Sequence, residues 1–198
     1  MLVHKTRIRI MKSTQSWFMH LILFLLFIPT SQHVIMAQSN SSDTSIKTLN
    51  FRIINYFNNK CARCHGPRGS FYGGDFAQDM TTDSLRNIIH EMTVGPGGMA
   101  LSGDSLSALV AYHRSLSSNS PFIAVTRLHK NTLQGEISGA DTLYMLTGKD
   151  TIQAYIQDGL WSVQVQNHEY FLNARLCTSI EKITLCLDLG NSAYSRFD

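Results

Sequence analysis

Cys61-Ala62-Arg63-Cys64-His65 is the stretch of this chain that carries the most information. It reads C-x-x-C-H, the signature of covalent haem attachment. Two thiols one helical turn apart share a face and reach the two vinyl groups on one edge of a porphyrin. The next residue, His65, then lies under the iron and offers an imidazole nitrogen as proximal ligand. The two cysteines have other readings as well. A dithiol redox centre wants a strand before the motif and a βαβ pattern around it, whereas the segment before Cys61 has helical period. A zinc site wants further ligands, and the other cysteines, Cys177 and Cys186, stand more than a hundred residues away.

The flanking sequence is helical. Upstream, Leu49, Ile53 and Phe57 recur at i, i+4 and i+8, with Ile54 beside them, which makes one apolar face. Downstream, Leu85, Ile88, Ile89 and Met92 form a second stripe, with Thr82 or Asp83 as its cap. Leu106, Leu109 and Val110 form a third, capped by Ser102 or Asp104. The loop between the first two holds Gly66, Gly69, Gly73 and Gly74. It has little core of its own, so something must fill the space it encloses.

With these elements around the motif, residues 48–118 resemble a small class I, monohaem cytochrome c domain. Phe57 stands four residues before the first cysteine, where that family has an aromatic. Leu109-Val110-Ala111-Tyr112-His113-Arg114-Ser115-Leu116 is similar to its last helix, whose aromatic residue packs on the first. Gly95-Pro96-Gly97-Gly98-Met99 resembles the loop that supplies the distal methionine. Two departures stand out: Ile53 occupies the place of a helix-crossing glycine, and Ala100 follows Met99 where a proline is common.

The resemblance implies one covalent haem c held by Cys61 and Cys64, with His65 as proximal and Met99 as distal ligand. Met80 and Met92 also follow the motif; Met92 reads as core because it belongs to the second apolar stripe. His90 and His113 would make a bis-histidine site, but each lies on an expected helix and reads as a surface or edge residue. Histidine–methionine ligation raises the potential of the haem and leaves no open position for substrate. The implied role is one-electron transfer between redox proteins and not catalysis. Two alternatives stay open: a sensor or enzyme subunit with an open sixth site, and a thiol–disulfide protein using Cys61 and Cys64. No other catalytic pattern accompanies the motif, and Gly95-Pro96-Gly97-Gly98 lacks the Lys-Ser/Thr ending of a phosphate loop.

Residues 118–121 form a short linker, and residues 122–190 change regime. Turn signals recur about every ten residues, at Gly139-Ala140-Asp141, Gly148-Lys149-Asp150, Asp158-Gly159 and Asn167-His168. Trp161, Val163 and Val165 share one face of a strand, and Ile183, Leu185, Leu187 and Leu189 share one of another. About seven short antiparallel strands suggest a β-sandwich. Gly135–Asp141 and Asp158–Val163 resemble bacterial Ig-like domains in their turn pattern and core tryptophan. The expected fold is therefore an all-α cytochrome c domain followed by a C-terminal all-β Ig-like sandwich, the latter a docking or spacer module. If Glu181-Lys182 is a two-residue hairpin turn, Arg175 faces Asp188, Leu176 faces Leu187 and Cys177 faces Cys186. That last pair is non-hydrogen-bonded, with Cα atoms about 4.5 Å apart, inside the disulfide range. On the polar face of the hairpin, in an oxidising space, a Cys177–Cys186 disulfide is expected.

The N-terminus supplies the compartment. Residues 4–12 are basic, Trp17–Ile28 is apolar except for His20, Pro29-Thr30-Ser31 breaks the run, and Ala37 precedes a polar stretch. This order is that of a secretory signal peptide over 1–37, followed by a Ser/Asn/Thr-rich tether over 38–47. An uncleaved N-terminal anchor is the alternative and the one membrane contact foreseen. Either reading places the rest outside the cytoplasm, in the periplasm or at the cell surface. Four of the 17 basic residues and none of the 14 acidic ones fall in 1–37, so the formal charge of +3 becomes −1 without that segment. No Lys/Arg cluster follows it, and nucleic acid is not an expected partner.

Overall fold

A computed structural model describes residues 45–73, 76–180 and 183–196. The signal segment 1–37, most of the tether and the Glu181-Lys182 turn lie outside the described residues.

A helical run opens the described chain. It comprises α1 (Ile53–Tyr56), a π-helical turn (Phe57–Cys61) and α2 (Ala62–His65). In the π turn the Ala62 N–H donates to the Phe57 carbonyl, five residues back. The wider turn rotates the cysteine face relative to the apolar face of α1, a device common at functional sites. Leu49, expected in this helix, precedes it and donates its N–H to the Val125 carbonyl at 2.9 Å. Ile53 and Phe57 are fully buried, and Phe57 meets Tyr112 edge-on at 5.3 Å. Helix α3 (Thr82–Val94) is capped by Thr81, which accepts from the Ser84 N–H at 3.2 Å. The expectation of Thr82 or Asp83 is thus off by one or two residues. Helix α4 (Gly103–Ser117) carries Asp104 in its first turn, favourable for the helix dipole.

Eight strands follow: β1 (Phe122–His129), β2 (Thr132–Ser138), β3 (Tyr144–Leu146), β4 (Thr151–Gln153), β5 (Tyr155–Gln157), β6 (Leu160–Gln164), β7 (Arg175–Ile180) and β8 (Ile183–Asp188). They pair antiparallel into two four-stranded sheets, ordered β1-β2-β6-β5 and β4-β3-β7-β8. The chain changes sheet at Ala154, between β4 and β5. One core joins them, with Ile123, Leu133 and Trp161 from the first sheet and Met145, Leu176 and Leu187 from the second. Gln157 pairs with Leu160 across Asp158-Gly159, both at positive φ (52° and 74°), as a type I′ hairpin turn requires.

The expectation of an all-α cytochrome c domain followed by an all-β Ig-like sandwich is corrected by this architecture. The helices do not close a core among themselves. The cluster under them includes Phe122 and Ala124 of β1, and Ala193 and Tyr194 from the end of the chain. Two antiparallel sheets and the helices make one mixed unit, within which α1 and α2 have four residues each. With the π turn they make one continuous run over 53–65, a length at which a lone helix is marginal, so the sheet beneath contributes to its order. Glu136 of β2, 2% exposed, makes the join: its carboxylate accepts the Ile54 and Asn55 N–H groups at 3.0 Å each and the Arg52 guanidinium at 3.2 Å. Among the described residues no helix is long and apolar enough to cross a membrane.

The β7–β8 register pairs Arg175 with Asp188, Leu176 with Leu187 and Cys177 with Cys186. Cys177 and Cys186 form a disulfide with Cα atoms 4.2 Å apart, and Arg175 and Asp188 pair at 2.8 Å. Cys177 is buried and not on an open polar face, since it packs at 7% exposure. Replacing both cysteines by alanine is expected to lower the unfolding free energy by roughly 2–3 kcal/mol, given the short loop closed. A lowered urea midpoint measures this; an unchanged midpoint refutes it.

Candidate functional site

The helical run, the following loop, α3 and α4 enclose a cavity of about 330 Å³. Its volume is at the low end for ligand sites. The run contributes Tyr56, Lys60, Cys61, Cys64 and His65; the loop after it contributes Tyr72 and Phe76. Helix α3 contributes Ile88, Ile89, Met92 and Thr93, the α3–α4 loop Pro96 and Gly97, and α4 Leu109 and His113. Most of these groups are apolar, and Tyr72 and Phe76 stack at 3.8 Å with planes 9° apart.

Cys61, Cys64 and His65 therefore share one wall. Both thiols are free, Cys61 half-buried and Cys64 exposed. Burial, with Cys64 beside it, pushes the Cys61 thiol up from its ordinary value. A raised thiol pKa leaves little thiolate at neutral pH, which is the opposite of what a dithiol oxidoreductase needs. Among the described residues, no group of three or more His, Cys, Asp or Glu is placed to hold a metal ion. The four-ligand arrangement of a structural zinc site thus has no counterpart there.

Met99 is not among the cavity-lining residues and is 41% exposed. Its loop is nonetheless anchored to the cavity. The Gly97 N–H donates to the Met92 carbonyl at 2.8 Å and the Met99 N–H to the Thr93 carbonyl at 2.9 Å. Met92 lines the cavity but is 47% exposed, so it stands at the mouth and not in the core as its stripe position suggested. Met80 packs on the helical core and lies outside the lining. His90 is exposed on α3.

His113 is the main surprise of position, because the sequence placed it at a surface and it is 5% exposed. It lies among Phe57, Tyr72 and Phe76, with ring centroids 5.4, 6.0 and 6.2 Å away. Its Nδ1 is 2.8 Å from the Leu109 carbonyl. A carbonyl only accepts, so Nδ1 carries the proton in the neutral ring. Burial drives its pKa down to about 4 from 6.5; the Leu109 hydrogen bond opposes this and His65 adds to it. Below pH 6.5 the unfolded chain takes up a proton that the folded chain refuses until about pH 4. His113 therefore supports the fold above pH 6.5, and up to about 3 kcal/mol is lost as pH falls toward 4. Urea unfolding across that range is expected to show this slope in the wild type and a smaller one in His113→Leu. Equal slopes would refute it.

Tyr56 is a second residue the motif reading missed. It is 5% exposed, lines the cavity, and its Oη has no hydrogen-bond partner among the described residues. Burial, and Cys61 beside it, push its pKa up, so the hydroxyl keeps its proton. The sequence signal was faint: an aromatic next to Phe57 on the helix that leads into Cys61. Comparison with protein-family models, with curated proteins and with solved structures finds no match to this chain.

Proposed function

We propose that this chain is an exported one-electron carrier that holds a single covalent haem c. Cys61 and Cys64 would hold the group by thioethers, His65 would be its proximal ligand and Met99 its distal one. The observation that carries the reading is the shared wall: two free thiols at i and i+3 and the following imidazole all line one largely apolar cavity. The stacked rings of Tyr72 and Phe76 give that cavity a flat aromatic side, suited to a planar group. When bound, haem supplies a single reversible electron.

The residues of the chain do the rest. Ile89, Leu109 and Phe76 would exclude water from it, the two thiols would fix it, and the residues bound to its iron would tune its potential. The partners are redox proteins, met in the weak, transient encounters typical of electron carriers. The Cys177–Cys186 disulfide supports a compartment outside the cytoplasm. A second reading, a haem with a labile sixth site, is favoured by one observation: Met99 stands outside the lining.

The test is a pyridine haemochrome spectrum on the full chain made in a host with c-type maturation. The expected result is a two-thioether α-band that survives acid–acetone extraction and is lost in Cys61→Ala/Cys64→Ala. Extractable haem, or none, would overturn the proposal.

A further inference from the structure

The helical run, α4 and the turns after β2 and β5 line a second cleft, of about 840 Å³, within the range of small-molecule sites. Its charged groups are Arg68, Asp141 and Asp158. The ion pairs among the described residues are Arg52–Glu136 and Arg175–Asp188, so none of these three is paired. Opposite charges that line one cleft without meeting leave room for a ligand that carries both signs. Arg68 is held there under strain. Its φ of 52° lies in the left-handed region that a side chain rarely enters, and such strain gathers at ligand clamps. A Cβ built on Gly139 would lie 3.2 Å from Arg68 Nη2, so the guanidinium rests on that glycine, at the turn after β2. Tyr112 also lines the cleft. It is fully buried, and its Oη has no hydrogen-bond partner among the described residues. A buried hydroxyl without a partner costs free energy. Burial pushes its pKa up, with Ser138 and Arg68 beside it opposing, so the hydroxyl keeps a proton to donate. Ile54, Ile137, Ile156 and Ile180 give the cleft an apolar wall.

We propose that this cleft binds a small zwitterion with an apolar side chain, a free α-amino acid or a dipeptide. Its carboxylate sits on the Arg68 guanidinium and accepts from the Tyr112 hydroxyl. Its ammonium faces Asp141 and Asp158, and its side chain lies on the isoleucines. A guanidinium is the group best matched to a carboxylate, because its fork donates two parallel bonds. A ligand of one sign would leave the other sign in the cleft unpaired. No residue lines both this cleft and the 330 Å³ cavity, so the proposal stands apart from the haem reading.

The experiment is calorimetric titration of the full-length protein with L-leucine and with L-leucyl-L-leucine. Saturable binding of one molecule per chain is expected, and the tighter of the two tells a free amino acid from a peptide as the source. N-acetyl-L-leucine lacks the ammonium and L-leucinamide lacks the carboxylate; each is expected to bind at least about tenfold more weakly, the loss of one charge-assisted contact. Arg68→Gln is expected to weaken L-leucine or the dipeptide by about ten- to a hundredfold, and Tyr112→Phe by about two- to tenfold. Arg68→Gly separates binding from folding. Glycine relieves the positive φ, so the urea midpoint is expected to hold or rise while binding is lost. No binding by either probe overturns the proposal. So does equal binding by the two blocked analogues, or undiminished binding in Arg68→Gly. If a substitution at Arg68 does not fold, the analogue series on the wild type decides by the same criterion.

Discussion

Glu136→Ala is expected to lower the unfolding free energy by about 4 kcal/mol. The carboxylate accepts two backbone N–H groups, from Ile54 and Asn55, at the exposed donors of α1. Each charge-assisted bond contributes roughly 1.5–3 kcal/mol, and truncation leaves two donors unpaired beside a buried hole. The ion pair with Arg52 adds little, because that guanidinium is 49% exposed. Glu136→Gln keeps the shape and one acceptor but loses the charge, and about half the loss is expected. Urea midpoints measure both. A loss below about 1 kcal/mol for alanine would show that α1 holds its own N-terminus.

On the haem reading proposed above, Met99→Leu is expected to abolish methionine ligation in the holoprotein. The far-red charge-transfer band of sulfur-ligated ferric haem should vanish and the potential should drop, since a thioether raises it. Met92→Leu should leave the band in place. Both side chains are near the cavity, but they are held differently. Met92 is fixed on α3 at the mouth. Met99 sits on a loop whose Gly98 has φ of 67° and whose backbone is tied to Met92 and Thr93. Loss of the band in Met92→Leu alone would reassign the ligand. A wild type that lacks the band altogether would favour the labile sixth site.

What the sequence made legible was local. The spacing of Cys61, Cys64 and His65 put them on one wall because it spans a helical turn. The β7–β8 register followed from counting outward from a two-residue turn, and the Cys177–Cys186 and Arg175–Asp188 pairs follow from it. What failed was long-range. Nothing near Glu136 reveals that it caps a helix 82 residues earlier. The all-α expectation failed for the same reason: Phe122 and Tyr194 complete the helical core from far along the chain. His113 looked like an edge residue because periodicity cannot say which polar side chain faces an enclosed cavity. Met92 looked like core because an apolar stripe does not distinguish a filled interior from a rim.

The cap at Glu136 also sets a timescale. The helical run over 53–65 is marginal on its own, so its first turn stays formed only while β2 stays paired. The Ile54 and Asn55 amides should then exchange with solvent at the rate of sheet opening and not of helix fraying. Cutting the chain near residue 119 would remove the acceptor of both amides. A truncated variant would thus report first on the melting of that helix, whatever else was assayed.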